Sequence, residues 1–205
     1  AYHGHLIQDH RPLNRTYTMP VAETASNFNE TLVMNAAIAR ARGQEKLALL
    51  EQRLQDYTQV ICDIYSRFLF EREVFEERKG GFLFPERLCR IMAETQKTAY
   101  GPGLDPACLH PYMWVNKVHY YYTTLSFYNF PYAFGALLAT GLYARYQKEG
   151  APFVEKYRAF LRSTTVSTVE EAAAVAGIDV TQKAFWAESL AMVAGQIDEF
   201  LLMTE

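Results

Sequence analysis

Residues 44–78 read QEKLALLEQRLQDYTQVICDIYSRFLFEREVFEER, and this stretch decides the fold class. Apolar residues recur in it at intervals of three and four, which places their side chains on one face of an α-helix. They are Leu47, Leu50, Leu54, Tyr57, Ile61, Ile64 and Phe68. The triplet Lys79-Gly80-Gly81 follows, and basic residues and glycines are typical of helix ends. The stretch therefore predicts one amphipathic helix of roughly 50 Å, at about 1.5 Å per residue.

The same helical spacing extends over most of the chain. It predicts further helices at residues 21–42, from Pro85 onwards, and near residues 130–148, 153–162, 169–176 and 182–202. Residues 100–111 are rich in glycine and proline and predict a loop. No segment alternates apolar and polar residues over six or more positions. The sequence thus predicts an all-α fold, mostly helical with minor β-structure at most, in which residues 1–205 form a single domain.

Composition excludes several classes of protein. Half of the 205 residues are hydrophobic and 21% are charged, unlike a disordered or collagen-like chain. The net charge of -3 is too small, and of the wrong sign, for a dedicated nucleic-acid binder. No apolar run approaches the roughly 20 residues of a membrane-spanning helix. Three widely spaced cysteines indicate no disulfide framework. We expect no nucleic-acid or membrane partner, and a cytoplasmic location.

A polar face near the start of the second predicted helix is a candidate site. Glu23, Ser26, Asn27 and Glu30 occupy positions i, i+3, i+4 and i+7, and therefore share one helix face. Apolar residues continue that face, which is typical of polar groups directed towards a site. A simpler interpretation is that carboxylates in the first turns interact favourably with the helix dipole. Periodicity leaves both interpretations open.

The stretch from Tyr112 to Phe134 is a second candidate, since ten of its 23 residues are aromatic. Many of them are tyrosines, whose hydroxyls need partners or water. A tyrosine-lined cleft and an aromatic packing cluster both fit this composition.

Three other kinds of site are excluded because their sequence motifs are absent. No glutamate has a histidine three residues later, as in di-iron bundles. Gly-x-Ser-x-Gly and Gly-x-x-x-x-Gly-Lys are also absent.

Four segments, in order, resemble oligoendopeptidase F and its thimet-oligopeptidase-like zinc metallopeptidase relatives. Ala1-Tyr2-His3 resembles the end of the family motif His-Glu-x-Gly-His-x-x-His. Residues 22–30 resemble the short motif that follows on the next helix and is centred on glutamate. His119 with residues 127–135 resembles a histidine followed by Phe-Tyr-x-Phe-x-Tyr-Ala-x-Gly, and residues 176–186 resemble the closing Gly-Ile-Asp…Phe-Trp segment. The resemblance covers nearly the whole chain.

The resemblance implies a role for particular residues. Glu23 corresponds to the third zinc ligand. Tyr128 and Tyr132 are the expected catalytic donors to the oxyanion, and His119 and Tyr121 are expected to bind the peptide. The residues expected to support the metal ligand, without binding the metal, are His3, Asn27 and Glu30.

One Zn²⁺ ion needs about four ligands, three of them from the protein at a catalytic site, so Glu23 cannot hold it alone. The two histidines and the general base of His-Glu-x-x-His are not among these residues, and we expect them upstream of Ala1. The chain would then be the C-terminal portion of a larger catalytic domain, inactive alone, with the missing N-terminal portion as its partner. The expected function is zinc-dependent endopeptidase activity on short oligopeptides. The alternative is a non-enzymatic helical interaction module whose aromatic cluster binds a partner.

Overall fold

The computed structural model describes all 205 residues and contains helices and turns but no β-strand, which confirms the all-α prediction. The α-helices are α1 (Tyr2–Leu6), α2 (Met19–Ala22), α3 (Thr24–Arg40), α4 (Gly43–Thr58), α5 (Ile64–Arg78), α6 (Pro85–Tyr100), α7 (Phe130–Glu149), α8 (Phe153–Ser163), α9 (Val169–Val175) and α10 (Lys183–Thr204). Short 3₁₀ turns occupy much of the stretch between α6 and α7. None of the helices combines the length and the apolar content that crossing a bilayer requires.

The long helix expected over residues 44–78 is present, with one irregular turn. A π-helical turn, Gln59–Asp63, joins α4 to α5, and the backbone N–H of Ile64 donates to the carbonyl of Gln59, five residues earlier. The helix ends where the sequence predicts, since the Lys79 N–H donates back to the carbonyl of Glu76 at 3.2 Å. Such π turns insert extra backbone into a helix without ending it.

The helix expected over residues 21–42 begins differently from the prediction. Its first turn is the separate short helix α2, and the chain leaves helical geometry at Glu23, where φ is -97° and ψ is 0°. The carbonyl of Glu23 accepts a hydrogen bond from the N–H of Asn27 at 2.9 Å, so Glu23 is the N-cap residue of α3. No glycine or proline marks this break, and the apolar spacing could not reveal it.

The chain folds into two compact units, one formed by residues 1–55 and 134–205 and the other by residues 56–133. The sequence-based expectation of a single domain stays a prediction. The unit of residues 1–55 and 134–205 is called the first unit below, and that of residues 56–133 the second unit.

The first unit has an extensive apolar core in which α8 is central. Phe153, Tyr157, Phe160 and Leu161 lie on one face of α8, and all four side chains are buried. Leu138 and Leu142 of α7, Val21, Phe28, Ile178 and Phe185 complete the centre of this core. A β-carbon added at Gly141 of α7 would overlap the ring of Phe185 and would lie 2.7 Å from Oγ of Ser189, both on α10. Gly141 therefore permits the close approach of α7 and α10.

The second unit is built on the pair α5 and α6, with a smaller core of Phe70, Ile91 and Met92. Pro85 occupies the first turn of α6, where a missing N–H costs nothing, and Gly101 ends it with φ of +56°. The chain then runs through 3₁₀ turns, including Met113–Asn116 and Val118–Tyr121, before it reaches α7.

Candidate active site

Glu23 presents an exposed carboxylate at the start of α3. Its backbone carbonyl begins the helix, whereas its side chain forms no cap, hydrogen bond or ion pair. The backbone of Glu23 is fixed at the start of a helix, and its carboxylate has no partner. The carboxylate is therefore available as a metal ligand. At the N-cap the carboxylate also lies at the positive end of the α3 dipole, so the helix-dipole interpretation stays open.

Asn27 and Glu30, two of the polar residues on this face of α3, have other contacts. An added β-carbon at Gly135 of α7 would lie 3.4 Å from Nδ2 of Asn27, so α7 passes close to that amide. Glu30 lies 3.7 Å from the guanidinium of Arg53, which also donates to Oγ1 of Thr31 at 2.8 Å. Neither side chain forms a hydrogen bond with Glu23. Their supporting role at a metal stays a prediction.

His3 is a buried histidine that joins α1 to the end of α8. Its Nε2 lies 2.9 Å from both the carbonyl of Leu161 and Oγ1 of Thr164, and its ring stacks on Tyr17 with centroids 4.1 Å apart. The hydroxyl of Thr164 donates its own proton to the same carbonyl at 2.8 Å, so both oxygens can only accept from His3. Nε2 of His3 therefore carries a proton and donates it to them. Burial lowers the pKa of His3. The supporting role at a metal expected for His3 stays a prediction.

His119, Tyr128 and Tyr132 lie together in the second unit, and we call them the histidine–tyrosine cluster. The rings of His119 and Tyr128 stack with centroids 5.1 Å apart, and Tyr132 meets both rings edge-on. Nε2 of His119 lies 3.4 Å from the hydroxyl of Tyr132. Burial lowers the pKa of His119, and the charges of Arg67 and Lys117 lower it further. Both effects favour the neutral ring.

The cluster is built on a turn and not on continuous helix. Tyr128 precedes α7, which begins only at Phe130, and Pro131 lies in the first turn of that helix. Phe127 has a left-handed backbone, with φ of +57°. This turn directs Tyr128 towards His119 before the helix begins.

Tyr121 lies in the same 3₁₀ turn as His119 but makes no ring contact with the histidine–tyrosine cluster. Its hydroxyl donates to the carbonyls of Trp114 and Val115, at 3.4 Å and 3.3 Å, and its side chain is exposed. The hydroxyl is thus bound to the preceding 3₁₀ turn, Met113–Asn116, while the ring faces solvent. Any contact of Tyr121 with a peptide would involve its ring.

Residues 2–192 match the family model described as Peptidase family M3. The chain belongs to peptidase family M3. Oligopeptidase PepF of Bacillus subtilis (strain 168) is 26% identical over 184 residues, which cover 88% of this M3 chain and 27% of PepF. The crystal structure of oligoendopeptidase-F from Enterococcus faecium has the same fold, with a TM-score of 0.78 at 22% identity. That match covers 94% of this chain and 37% of the other. This M3 chain therefore spans much less than half the length of both proteins.

The side chains of this M3 chain do not form a complete metal site. No three histidine, cysteine, aspartate or glutamate residues lie close enough to one another to hold a metal ion. Glu23 fits one ligand position, because its carboxylate is exposed and unpaired. A catalytic zinc site requires three protein ligands, so Glu23 fits as one contributor to a site that needs further residues.

Sequence reasoning missed the residues that hold the histidine–tyrosine cluster of this M3 chain. Glu71 accepts a hydrogen bond from the backbone N–H of Phe127 at 2.6 Å, and Arg67 donates to the side chain of Asn129 at 3.3 Å. A signal was present, because Asp63, Arg67 and Glu71 are charged residues spaced by four within the predicted long helix. The apolar spacing that predicts the helix does not distinguish these charged positions from exposed ones.

Proposed function

We propose that this chain forms part of the active site of a zinc-dependent M3 oligopeptidase that hydrolyses short peptides. The observation that carries the proposal is the histidine–tyrosine cluster, in which the Tyr132 hydroxyl lies 3.4 Å from His119 and the Tyr128 ring stacks on that histidine. Membership of the family and the likeness to PepF of Bacillus subtilis support it.

The first unit contributes Glu23 as one zinc ligand. A bound zinc ion polarises the peptide carbonyl and activates water. The other ligands and the general base come from outside these 205 residues, which is supported by the lack of any three-residue metal group within them. The chain alone is then inactive and binds no zinc tightly. Carboxylates are ordinary zinc ligands, and a neutral amide in their place is a much poorer one.

The second unit contributes hydrogen-bond donors. A peptide carbonyl becomes negatively charged as water adds to it, and a preorganised O–H group stabilises that charge. Tyr128 and Tyr132 each supply a phenolic hydroxyl. When the proton of neutral His119 is on Nε2, that nitrogen donates to the oxygen of Tyr132. This contact orients the Tyr132 hydroxyl beside His119.

Peptide binding is assigned to His119 and Tyr121, which lie two residues apart in one 3₁₀ turn. The hydroxyl of Tyr121 is held by two carbonyls, so its exposed ring packs against the side chains or backbone of a peptide. An unstructured oligopeptide is the substrate that such a surface accommodates. A cytoplasmic location for the enzyme stays a prediction.

The experiment uses the protein translated from the whole reading frame that contains this chain. We expect it to cleave an internally quenched fluorescent oligopeptide, to lose that activity with a zinc chelator and to regain it with added Zn²⁺. The 205-residue chain, purified alone, is the control and should not cleave the peptide. A long form that is folded and metal-loaded but cleaves no oligopeptide would contradict the proposal and would favour a non-enzymatic interaction module.

A further inference from the structure

One face of α5 and the turn before it carries three charged residues that are all buried. Asp63, Arg67 and Glu71 are spaced by four residues, and each is less than one-tenth exposed. Arg67 forms an ion pair with Asp63. Burying charged groups costs free energy, and a buried ion pair is a weaker source of stability than apolar residues of similar size. These residues therefore call for a role besides packing.

The contacts of this face converge on the residues that flank Tyr128. On one side, Oε1 of Glu71 accepts the backbone N–H of Phe127 at 2.6 Å. On the other side, Nη1 of Arg67 donates to Oδ1 of Asn129 at 3.3 Å, and Asn129 is 1% exposed. The chain is thus held immediately before and immediately after Tyr128.

The backbone at Phe127 needs this support. A φ of +57° lies in the left-handed region, which is unfavourable for a bulky residue. The ring of Phe127 packs against Phe68 and Phe75 of α5, with centroid distances of 5.4 Å and 5.3 Å, while Glu71 binds its N–H. The same helix therefore fixes both the ring and the backbone of the residue that sets the direction of Tyr128.

We propose that Glu71 and Arg67 are positioning residues that hold Tyr128 against His119. The proposal rests on the proposed function, because it assigns to Tyr128 a part in peptide hydrolysis. Neither side chain touches the substrate in this scheme, and both act only through the turn of residues 127–129. Burial raises the pKa of Glu71, while the bond from Phe127 stabilises its charged form, so the carboxylate depends on that single backbone donor.

The test measures kcat and KM for peptide cleavage by the whole enzyme carrying Glu71→Leu or Glu71→Gln. Leucine removes the acceptor, and a displaced Tyr128 should lower kcat by about 10–100-fold with little change in KM. Glutamine keeps an acceptor oxygen, so it should retain most of kcat. Glu76→Leu is the matched control, because Glu76 lies on α5 but is exposed and pairs only with Lys79. It should leave both constants unchanged.

A double-mutant cycle separates positioning from a general loss of stability. If Glu71 acts through Tyr128, Glu71→Leu should cause little further loss of kcat in a Tyr128→Phe background. If the fold losses in kcat of the two single variants multiply in the double variant, the proposal is overturned. An unchanged kcat for Tyr128→Phe alone would also overturn it. Arg67→Lys provides the second variant if Glu71→Leu does not fold. Lysine keeps the positive charge but loses the hydrogen bond to Asn129. In the double-mutant cycle, Arg67→Lys should therefore give the same result as Glu71→Leu.

A readout without catalysis distinguishes this proposal from the proposed function. With 3-fluorotyrosine at position 128, Glu71→Leu or Arg67→Lys should shift the fluorine resonance, and Glu76→Leu should not. A resonance that stays unchanged in both variants would overturn the positioning role even if the enzyme is active. An absence of peptide cleavage together with a clear shift would contradict the proposed function and would leave the positioning role supported.

Discussion

The ring of His119 lies nearly parallel to the ring of Tyr128, with 18° between their planes, whereas Tyr132 approaches His119 at 83° and places its hydroxyl near Nε2. The two tyrosines therefore relate to the histidine in different ways. Tyr128 contacts it through the ring face, and Tyr132 contacts it through the hydroxyl. This difference makes their separate replacement informative.

Tyr128→Phe and Tyr132→Phe should each lower turnover in the whole enzyme. Loss of one donor to an oxyanion typically costs about 3–4 kcal/mol, or roughly 10²–10³ in kcat. The Michaelis constant should change little, because the donor acts mainly in the transition state. Steady-state kinetics with a quenched fluorescent peptide measures both constants, and the variant with the larger loss identifies the donor. Wild-type turnover in both would mean that the tyrosines only pack.

Glu23→Gln should reduce the zinc content of the whole enzyme after dialysis, because a neutral amide is a poorer ligand than a carboxylate. Elemental analysis measures bound zinc, and cleavage of the peptide measures its consequence. Glu45→Gln is the matched control, because Glu45 is an exposed carboxylate in the first turn of α4 and has no assigned role at the metal. Equal zinc content and activity in Glu23→Gln and wild type would show that Glu23 is not a ligand.

Gly141→Ala should destabilise the first unit by about 1–3 kcal/mol, since its methyl group would overlap the Phe185 ring and force α7 and α10 apart. Gly195→Ala provides a control with the opposite sign. Gly195 is exposed within α10 with no atom near its added β-carbon, so alanine should stabilise the helix by about 1 kcal/mol. Urea denaturation followed by circular dichroism measures both. A stable Gly141→Ala variant would contradict the tight approach of these helices.

His3 should make the stability of this chain depend on pH. Burial lowers its pKa in the folded state below the ordinary 6.5, so the unfolded chain binds a proton first as the pH falls. The contribution of His3 to the free energy of unfolding therefore does not change with pH above pH 6.5. It falls below pH 6.5, by at most about 1.4 kcal/mol per pH unit, until the folded-state pKa is reached.

Urea titrations at pH 7.5 and pH 5.5 measure this effect. His3→Gln should remove part of the loss of stability seen in wild type between the two values. His5→Gln, which replaces an exposed histidine on the same short helix, should leave that loss in place. An equal loss in wild type and His3→Gln would show that His3 does not titrate as its burial requires.

Most helices could be predicted because apolar spacing and local end signals determine them. The predicted end near Arg78 and the helices near residues 130–148, 153–162 and 182–202 agree with the structure to within about two residues. The break at Glu23 and the π turn before α5 were not visible, because both keep nearly helical spacing and contain no proline or glycine. Backbone geometry at such points is set by packing.

The candidate site was predicted in part. The resemblance selected His119, Tyr128 and Tyr132, and the structure brings their rings together. The left-handed turn at Phe127 could not be foreseen, because a bulky aromatic residue stands where that conformation usually favours glycine. The hydrogen bond from the Phe127 N–H to Glu71 joins residues 56 positions apart. A local sequence pattern cannot predict a contact at that separation.

Two hydrogen bonds, from the Phe127 N–H to Glu71 and from Arg67 to Asn129, also bear on the order of folding. They close loops of 56 and 62 residues, and each needs charged side chains that share a face only once α5 has wound into a helix. The entropy of closing such loops must be lost before either bond forms, whereas α5 and α6 form from contacts nearer in sequence. We therefore expect the turn that carries Tyr128 to be completed late in folding, after the helix on which it rests.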